Sequence, residues 1–176
     1  MLLRRDPLTN PEPLIRRVYA YVAYRLGDGA EAEDVTSDVF EQAIRYRDSY
    51  DPTRGEPLSW LIGIARRRVA RTLAQRATPT IEITETAAPS ESETQSIERL
   101  ALRDALATLG QRDRELIALR YGADLRARQI APLLDLKTNA VEVALHRALA
   151  RLRAVLEAEI QPEDRPALLD PAQKTV

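Results

Sequence analysis

Residues 126–151 read RARQIAPLLDLKTNAVEVALHRALAR, and their spacing decides how the chain folds. Ile130 and Leu134 stand four apart, on one face of a helix, with Ala131 small enough beside them for a close helix crossing. Leu136 is placed to plug a turn, and Val141 and Leu145 anchor a second helix. This is the pattern of a helix-turn-helix, in which the first helix props the second so that its N-terminal end can enter a DNA groove. An ordinary helical hairpin has similar apolar spacing, so the stretch alone leaves both readings open. Lys137, Thr138 and Asn139 begin the second helix. Asn can pair bidentately with adenine, and Lys can reach guanine or phosphate; Thr138 serves equally well as an N-cap. His146, Arg147 and Arg151 lie further along and suit phosphates. For His146 the alternative is a solvated or packed side chain.

Outward from this stretch the chain stays helical. Ala, Leu, Arg and Glu dominate and glycine numbers only six, which favours helices over strands. Apolar positions predict helices over 97–109, 112–121, 126–134 and 138–159 in the second half, with Gly110 and Gly122 at helix ends where a left-handed residue is commonly needed. In the first half, Leu14, Ile15, Val18, Val22 and Leu26 mark a helix over 12–26, ended by Gly27-Asp28-Gly29. Val35, Val39, Phe40 and Ile44 mark another over 30–47. Residues 50–55, YDPTRG, form a turn, and Pro57 opens a third helix. A short separate turn over 10–14 would make a fourth element.

The expected architecture is all-α: two small helical domains, 10–76 and 97–160, joined by a flexible acidic linker over 77–96. That linker, ATPTIEITETAAPSESETQS, holds two large apolar residues and cannot offset the entropy of its own ordering. Residues 161–176 are expected to be a disordered tail. Net charge is −1, yet it is unevenly distributed: +2 over 1–77, −5 over 78–98, +3 over 99–160. Two basic blocks flank an acidic strip, so the total excludes little about nucleic-acid binding.

Other chemistries are harder to build. With no cysteine and one histidine, neither a disulfide nor a Cys/His zinc site can form. No metal, cofactor, nucleophile–base pair or Gly-rich phosphate loop is expected, which argues against an enzyme. No run approaches the roughly 20 apolar residues of a membrane span, and the N-terminus lacks a secretory h-region. The cytoplasm is the expected location.

The second basic feature is an arginine helix. No acid occurs between Pro57 and Ile81, while Arg66, Arg67, Arg68, Arg71 and Arg76 cluster. Like charges at i,i+3 and i,i+4 repel mildly, so the concentration makes sense facing phosphate. The alternative is a basic face paired with acids elsewhere in the fold. Trp60, upstream, could pack in the core or stack on an unpaired base.

Residues 32–73, AEDVTSDVFEQAIRYRDSYDPTRGEPLSWLIGIARRRVARTL, resemble the polymerase-binding and −10-reading domain of extracytoplasmic-function (ECF) sigma factors. Residues 102–156, LRDALATLGQRDRELIALRYGADLRARQIAPLLDLKTNAVEVALHRALARLRAVL, resemble their −35-reading domain. Both halves in the right order are far more specific than either alone. The resemblance implies a promoter-specificity factor that binds core RNA polymerase and assists DNA melting. It assigns Asp34, Val35, Asp38 and Phe40 to the clamp of the largest polymerase subunit, Val35 and Phe40 serving mainly as core. The second domain would meet the flap of the second-largest subunit. Asp51, Pro52, Arg54 and Gly55 match a loop that captures a base flipped from the −10 element; Trp60, Arg66, Arg67 and Arg71 match the helix on the melted strand. An anti-sigma factor is a further partner common in the family.

Departures from the family pattern fall at Ser37, Asp135, Glu142 and Ala144. Asp135 replaces a turn Gly that adopts the left-handed conformation more cheaply. Glu142 and Ala144 stand where basic residues are frequent; Glu142 could accept a hydrogen bond from cytosine, or that face could turn to a protein. Two other readings share the pattern. A sigma-like adaptor that only occupies an anti-sigma factor would lack strand-trapping features, and a polymerase-independent helix-turn-helix regulator would leave residues 30–76 unexplained.

Overall fold

The computed structural model describes residues 6–77 and 93–160. Every regular element among them is helical, which matches the all-α expectation. The linker residues 78–92 and the tail from 161 lie outside the described residues.

The first domain is three helices. α1 spans Pro11–Leu26, α2 Ala30–Arg45 and α3 Pro57–Ala77. Pro11 starts α1, so residues 10–14 form no separate turn. Gly27 and Gly29 take φ of 97° and 128°, a region open to glycine without steric cost, and reverse the chain between α1 and α2. Each helix buries residues at helical spacing: Val18, Tyr21 and Val22 from α1; Ala32, Val35, Val39 and Ala43 from α2; Leu58, Leu61, Ile62, Ala65 and Val69 from α3. Ile15 and Ile44, expected in this stripe, are instead exposed at 43% and 58%. Between α2 and α3 runs a 3-10 turn, Arg47–Ser49, followed by the 50–55 turn.

The second domain holds α4 (Glu93–Thr108), α5 (Gln111–Ile117), a π-helical turn (Ala118–Gly122), α6 (Ala127–Leu134) and α7 (Thr138–Ile160). α4 begins four residues before the expected start. The helix expected over 112–121 widens instead into the π turn, whose Ala123 N–H donates to the Ala118 carbonyl at 2.9 Å. α6 and α7 are the helix-turn-helix. Asp135 between them is left-handed at φ 53°, the conformation its place in the turn demands. Leu136 packs against the core from the turn, and Ile130, Ala131 and Val141 are buried.

The two glycines expected in left-handed conformations behave otherwise. Gly110 is extended at φ −61°, and Gly122 has no positive φ. Gly122 is required for space: a Cβ there would stand 2.9 Å from the Ala20 carbonyl oxygen and from Tyr21 N and Cα on α1.

That close approach sets the relation of the domains. The π turn lies on α1, and one buried cluster runs from Val18 and Tyr21 through Leu116, Leu119 and Leu125 to Ile130 and Val141. A smaller cluster, Leu106, Leu109, Ile117 and Ala148, seats α4 and α5 on α7.

Candidate nucleic-acid interface

The start of α7 is the most open part of the helix-turn-helix. Lys137, Thr138 and Asn139 are all exposed. The Val141 N–H donates to the Lys137 carbonyl at 3.1 Å, which puts Lys137 at the cap and Thr138 inside the first turn. Thr138 is therefore not the N-cap, and its hydroxyl is not committed to that role. Its neighbours down the helix are Glu142, Val143, His146 and Arg147, all exposed. Ala144 is half-buried against the core, so its small side chain answers to packing. Arg151 donates to Asp113 of α5 at 2.7 Å.

In the first domain, the 50–55 turn is stabilised from within. The Asp51 carboxylate accepts from the Thr53 N–H at 2.9 Å and its hydroxyl at 2.7 Å, an Asx-turn arrangement. Tyr50 donates its hydroxyl to the Gly55 carbonyl at 2.9 Å. Burial and the nearby Glu56 and Asp51 carboxylates push the Tyr50 phenol pKa up, so it stays the donor. Its ring meets Trp60 at 5.5 Å and a 55° tilt, leaving Trp60 half-buried. Asp51 and Arg54 are exposed.

The arginine helix divides. Arg67 and Arg71 are exposed, with no partner among the described residues. Arg68 pairs with Asp38 of α2 at 3.3 Å. Arg76 pairs with Glu31 and donates to the Leu26 carbonyl at 3.1 Å. Arg66 turns to the second domain, where Nε donates to Glu115 at 2.8 Å and the guanidinium also reaches the Leu133 carbonyl. The alternative of a basic face paired with acids thus describes Arg66, Arg68 and Arg76. Of the four residues assigned to polymerase, Asp34 is exposed, Asp38 half-exposed, Val35 buried and Phe40 half-buried against the core.

Glu115 was missed by the sequence reading. Its side chain is 15% exposed and receives Arg66, the Tyr21 hydroxyl at 3.1 Å and the Arg25 guanidinium, whose Nε lies 3.1 Å from the second carboxylate oxygen. The last is ion-pair contact without the alignment of a hydrogen bond. Arg25 also donates to the Gln111 carbonyl and side chain, both at 3.2 Å. Burial, with the Glu115 charge, drives the Tyr21 phenol pKa far upward, and burial beside Arg25 lowers that of Arg114. One signal was available: Arg25 stands three and seven residues beyond Val22 and Val18, a charge on the apolar stripe of α1.

Comparison with known proteins places both halves. The model of Sigma-70 region 2 matches residues 12–78 and that of Sigma-70, region 4 matches residues 99–152. The ECF RNA polymerase sigma factor SigK of Mycobacterium ulcerans is 30% identical over 151 residues, covering 81% of this chain and 81% of that protein. The chain belongs to the ECF sigma factors. ECF sigma factor BldN of Streptomyces coelicolor is 28% identical over 148 residues, 79% of this chain, and the chain spans 56% of its length. Among solved structures, the sigma factor RpoE in complex with the anti-sigma factor NepR from Bartonella quintana superposes with a TM-score of 0.68 at 20% identity. That match covers 83% of this chain and 93% of the other, and shows a shared fold. The exposed start of α7 therefore lies in the region 4 match of an ECF sigma factor, and the arginine helix in its region 2 match. No group of metal-ligating side chains is found among the described residues, and no helix there is long and apolar enough to cross a membrane.

Proposed function

We propose that this chain binds core RNA polymerase, carries it to promoters and helps open the DNA there. The observation that supports this most is the presence of a region 2 and a region 4 half on one chain, in that order, with the start of α7 open to a groove. Lys137, Thr138 and Asn139 read −35 bases, since they occupy the turn of a helix-turn-helix that meets base edges. Glu142 stands one turn further along the same exposed helix and accepts from a cytosine amino group. His146 and Arg147 lie beyond it, over phosphate, and Arg151 joins them when it leaves Asp113. Arg67 and Arg71 hold the melted −10 strand, Asp51 and Arg54 flank a flipped base, and Asp34 with Asp38 meets the clamp. Bond making belongs to the polymerase, and the chain works beside it in the cytoplasm.

Run-off transcription with purified core polymerase on a promoter library, with and without this chain, tests the reading. Specific transcripts that depend on the chain are expected. A chain that neither binds core nor yields any specific start would overturn it.

A further inference from the structure

A cavity of about 330 Å³ opens where α1, α3 and α5 meet the turn of the helix-turn-helix. That is the small end of the range in which proteins hold small molecules. Arg25 of α1, Arg66 of α3 and Arg112 of α5 line it, with Glu115 as the one acid in its wall. Leu134 and Leu136 supply an apolar part of that wall, and both are only partly buried.

Three guanidiniums against one carboxylate leave the wall with a net charge of +2. The carboxylate is already committed. Tyr21 and Arg66 donate to one Glu115 oxygen at 3.1 and 2.8 Å, and Arg25 lies 3.1 Å from the other. Only 7% of the Arg25 side chain is exposed, and its Nε–H finds no acceptor. A buried cation that must share its counter-charge is costly, and an added anion offsets that cost. The same excess reaches Arg114, whose pKa is lowered by burial and by the Arg25 charge. Arg112 is exposed and has no partner among the described residues, so it can turn to a ligand without giving up a bond.

We propose that this cavity binds a small organic phosphate, its dianionic head drawn to the three guanidiniums and its apolar portion to Leu134 and Leu136. A phosphate monoester carries a charge of about −2 above its second pKa of about 6, which matches the charge of the wall. Guanidinium forks suit its oxygens, because each can give two parallel N–H bonds. Inorganic phosphate meets only the charged half of the site. The occupant touches α1, α3, α5 and the α6–α7 turn at once, so it stabilises the folded chain as its concentration rises above its dissociation constant. The site stands whether or not the chain serves polymerase.

The test is calorimetric titration of phenyl phosphate into the full chain at pH 8 and low salt, with inorganic phosphate at equal ionic strength beside it. One molecule per chain is expected, with a dissociation constant of about 1 mM or tighter for a ligand of this size. Inorganic phosphate should bind at least about fivefold more weakly, since it leaves the two leucines uncovered. Arg112→Ala should weaken phenyl phosphate about tenfold, and Arg112→Glu should abolish its binding. Neither variant gives up a contact within the chain, so both should melt as the parent does. Arg153→Ala, at an exposed position on α7 outside the cavity wall, should bind like the parent. Saturating phenyl phosphate should also raise the parent's melting temperature by a few degrees. Absence of saturable binding overturns the site, as does parent-like affinity in both Arg112 variants. A loss in Arg153→Ala as large as in Arg112→Ala overturns it too, by showing diffuse attraction to surface charge. Equal affinity for the two phosphates overturns the assignment to an organic phosphate.

Discussion

α3 and α7 both carry basic side chains assigned to DNA, yet they deploy that charge differently. On α3, Arg66, Arg68 and Arg76 are tied to acids and carbonyls of four other helices, and only Arg67 and Arg71 of the cluster stand open. At the cap of α7 Lys137 is open, along the helix His146 and Arg147 are open, and Arg151 is tied back to Asp113. Charge density in a sequence therefore overstates the charge available to DNA, most of all where the helix also holds a domain together. A long guanidinium with five donors can bind carbonyls and carboxylates across a groove between helices, so an arginine run next to a domain boundary is ambiguous by nature.

The largest expected effect separates the two classes on α3. Replacing Arg67 and Arg71 together with Ala removes two phosphate contacts from the melted strand. At about −0.7 per contact, the salt slope of single-strand binding falls by about 1.4, and affinity at 0.1 M salt falls roughly twentyfold. Titration of −10 single strands against the assembled holoenzyme at three salt concentrations measures both. A slope unchanged within error would mean that these open arginines do not face DNA.

Arg68→Ala sharpens the contrast from the other side. Its partner Asp38 is half-exposed, so loss of the pair should lower stability by no more than about 1 kcal/mol in urea unfolding. The salt slope should stay where it was. A slope that drops as far as in the Arg67 and Arg71 variant would show that Arg68 leaves Asp38 to bind the strand, and the division between tied and open arginines would collapse.

Much of the fold was legible because local rules agree there. The α6–α7 spacing of Ile130, Ala131, Leu136 and Val141 places the same four residues in the core, and Gly27-Asp28-Gly29 ends α1 as turn chemistry demands. The rest was decided by tertiary contact. Ile15 and Ile44 satisfy helical spacing but face outward, because the stripe each helix buries is set by its neighbours. Gly122 reads as a helix end, while its real constraint is α1, some 100 residues earlier in the chain. Glu115 has no motif around it; its meaning comes from Tyr21, Arg25 and Arg66, which only folding brings together. Of the site, the exposed start of α7 could be read from sequence, whereas the apportioning of α3's arginines could not.

The smallest effect concerns the turn that aims α7. Asp135 sits at φ 53° and ψ 47°, where an L side chain costs roughly 1 kcal/mol or more and glycine costs little. Asp135→Gly relieves that strain, but a glycine also gives the unfolded chain more freedom to lose, which offsets part of the gain. Asp softens the strain by local hydrogen bonding, so the net stabilisation should be only about 0.5 kcal/mol, a shift of a few degrees in melting temperature for a chain of this size. The Leu136 N–H, which donates to the Ala131 carbonyl at 2.9 Å, holds the turn in either variant, so −35 binding should not change. A loss of −35 affinity without loss of stability would show that the Asp135 carboxylate itself takes part in reading DNA, and would extend the open face of α7 back into the turn.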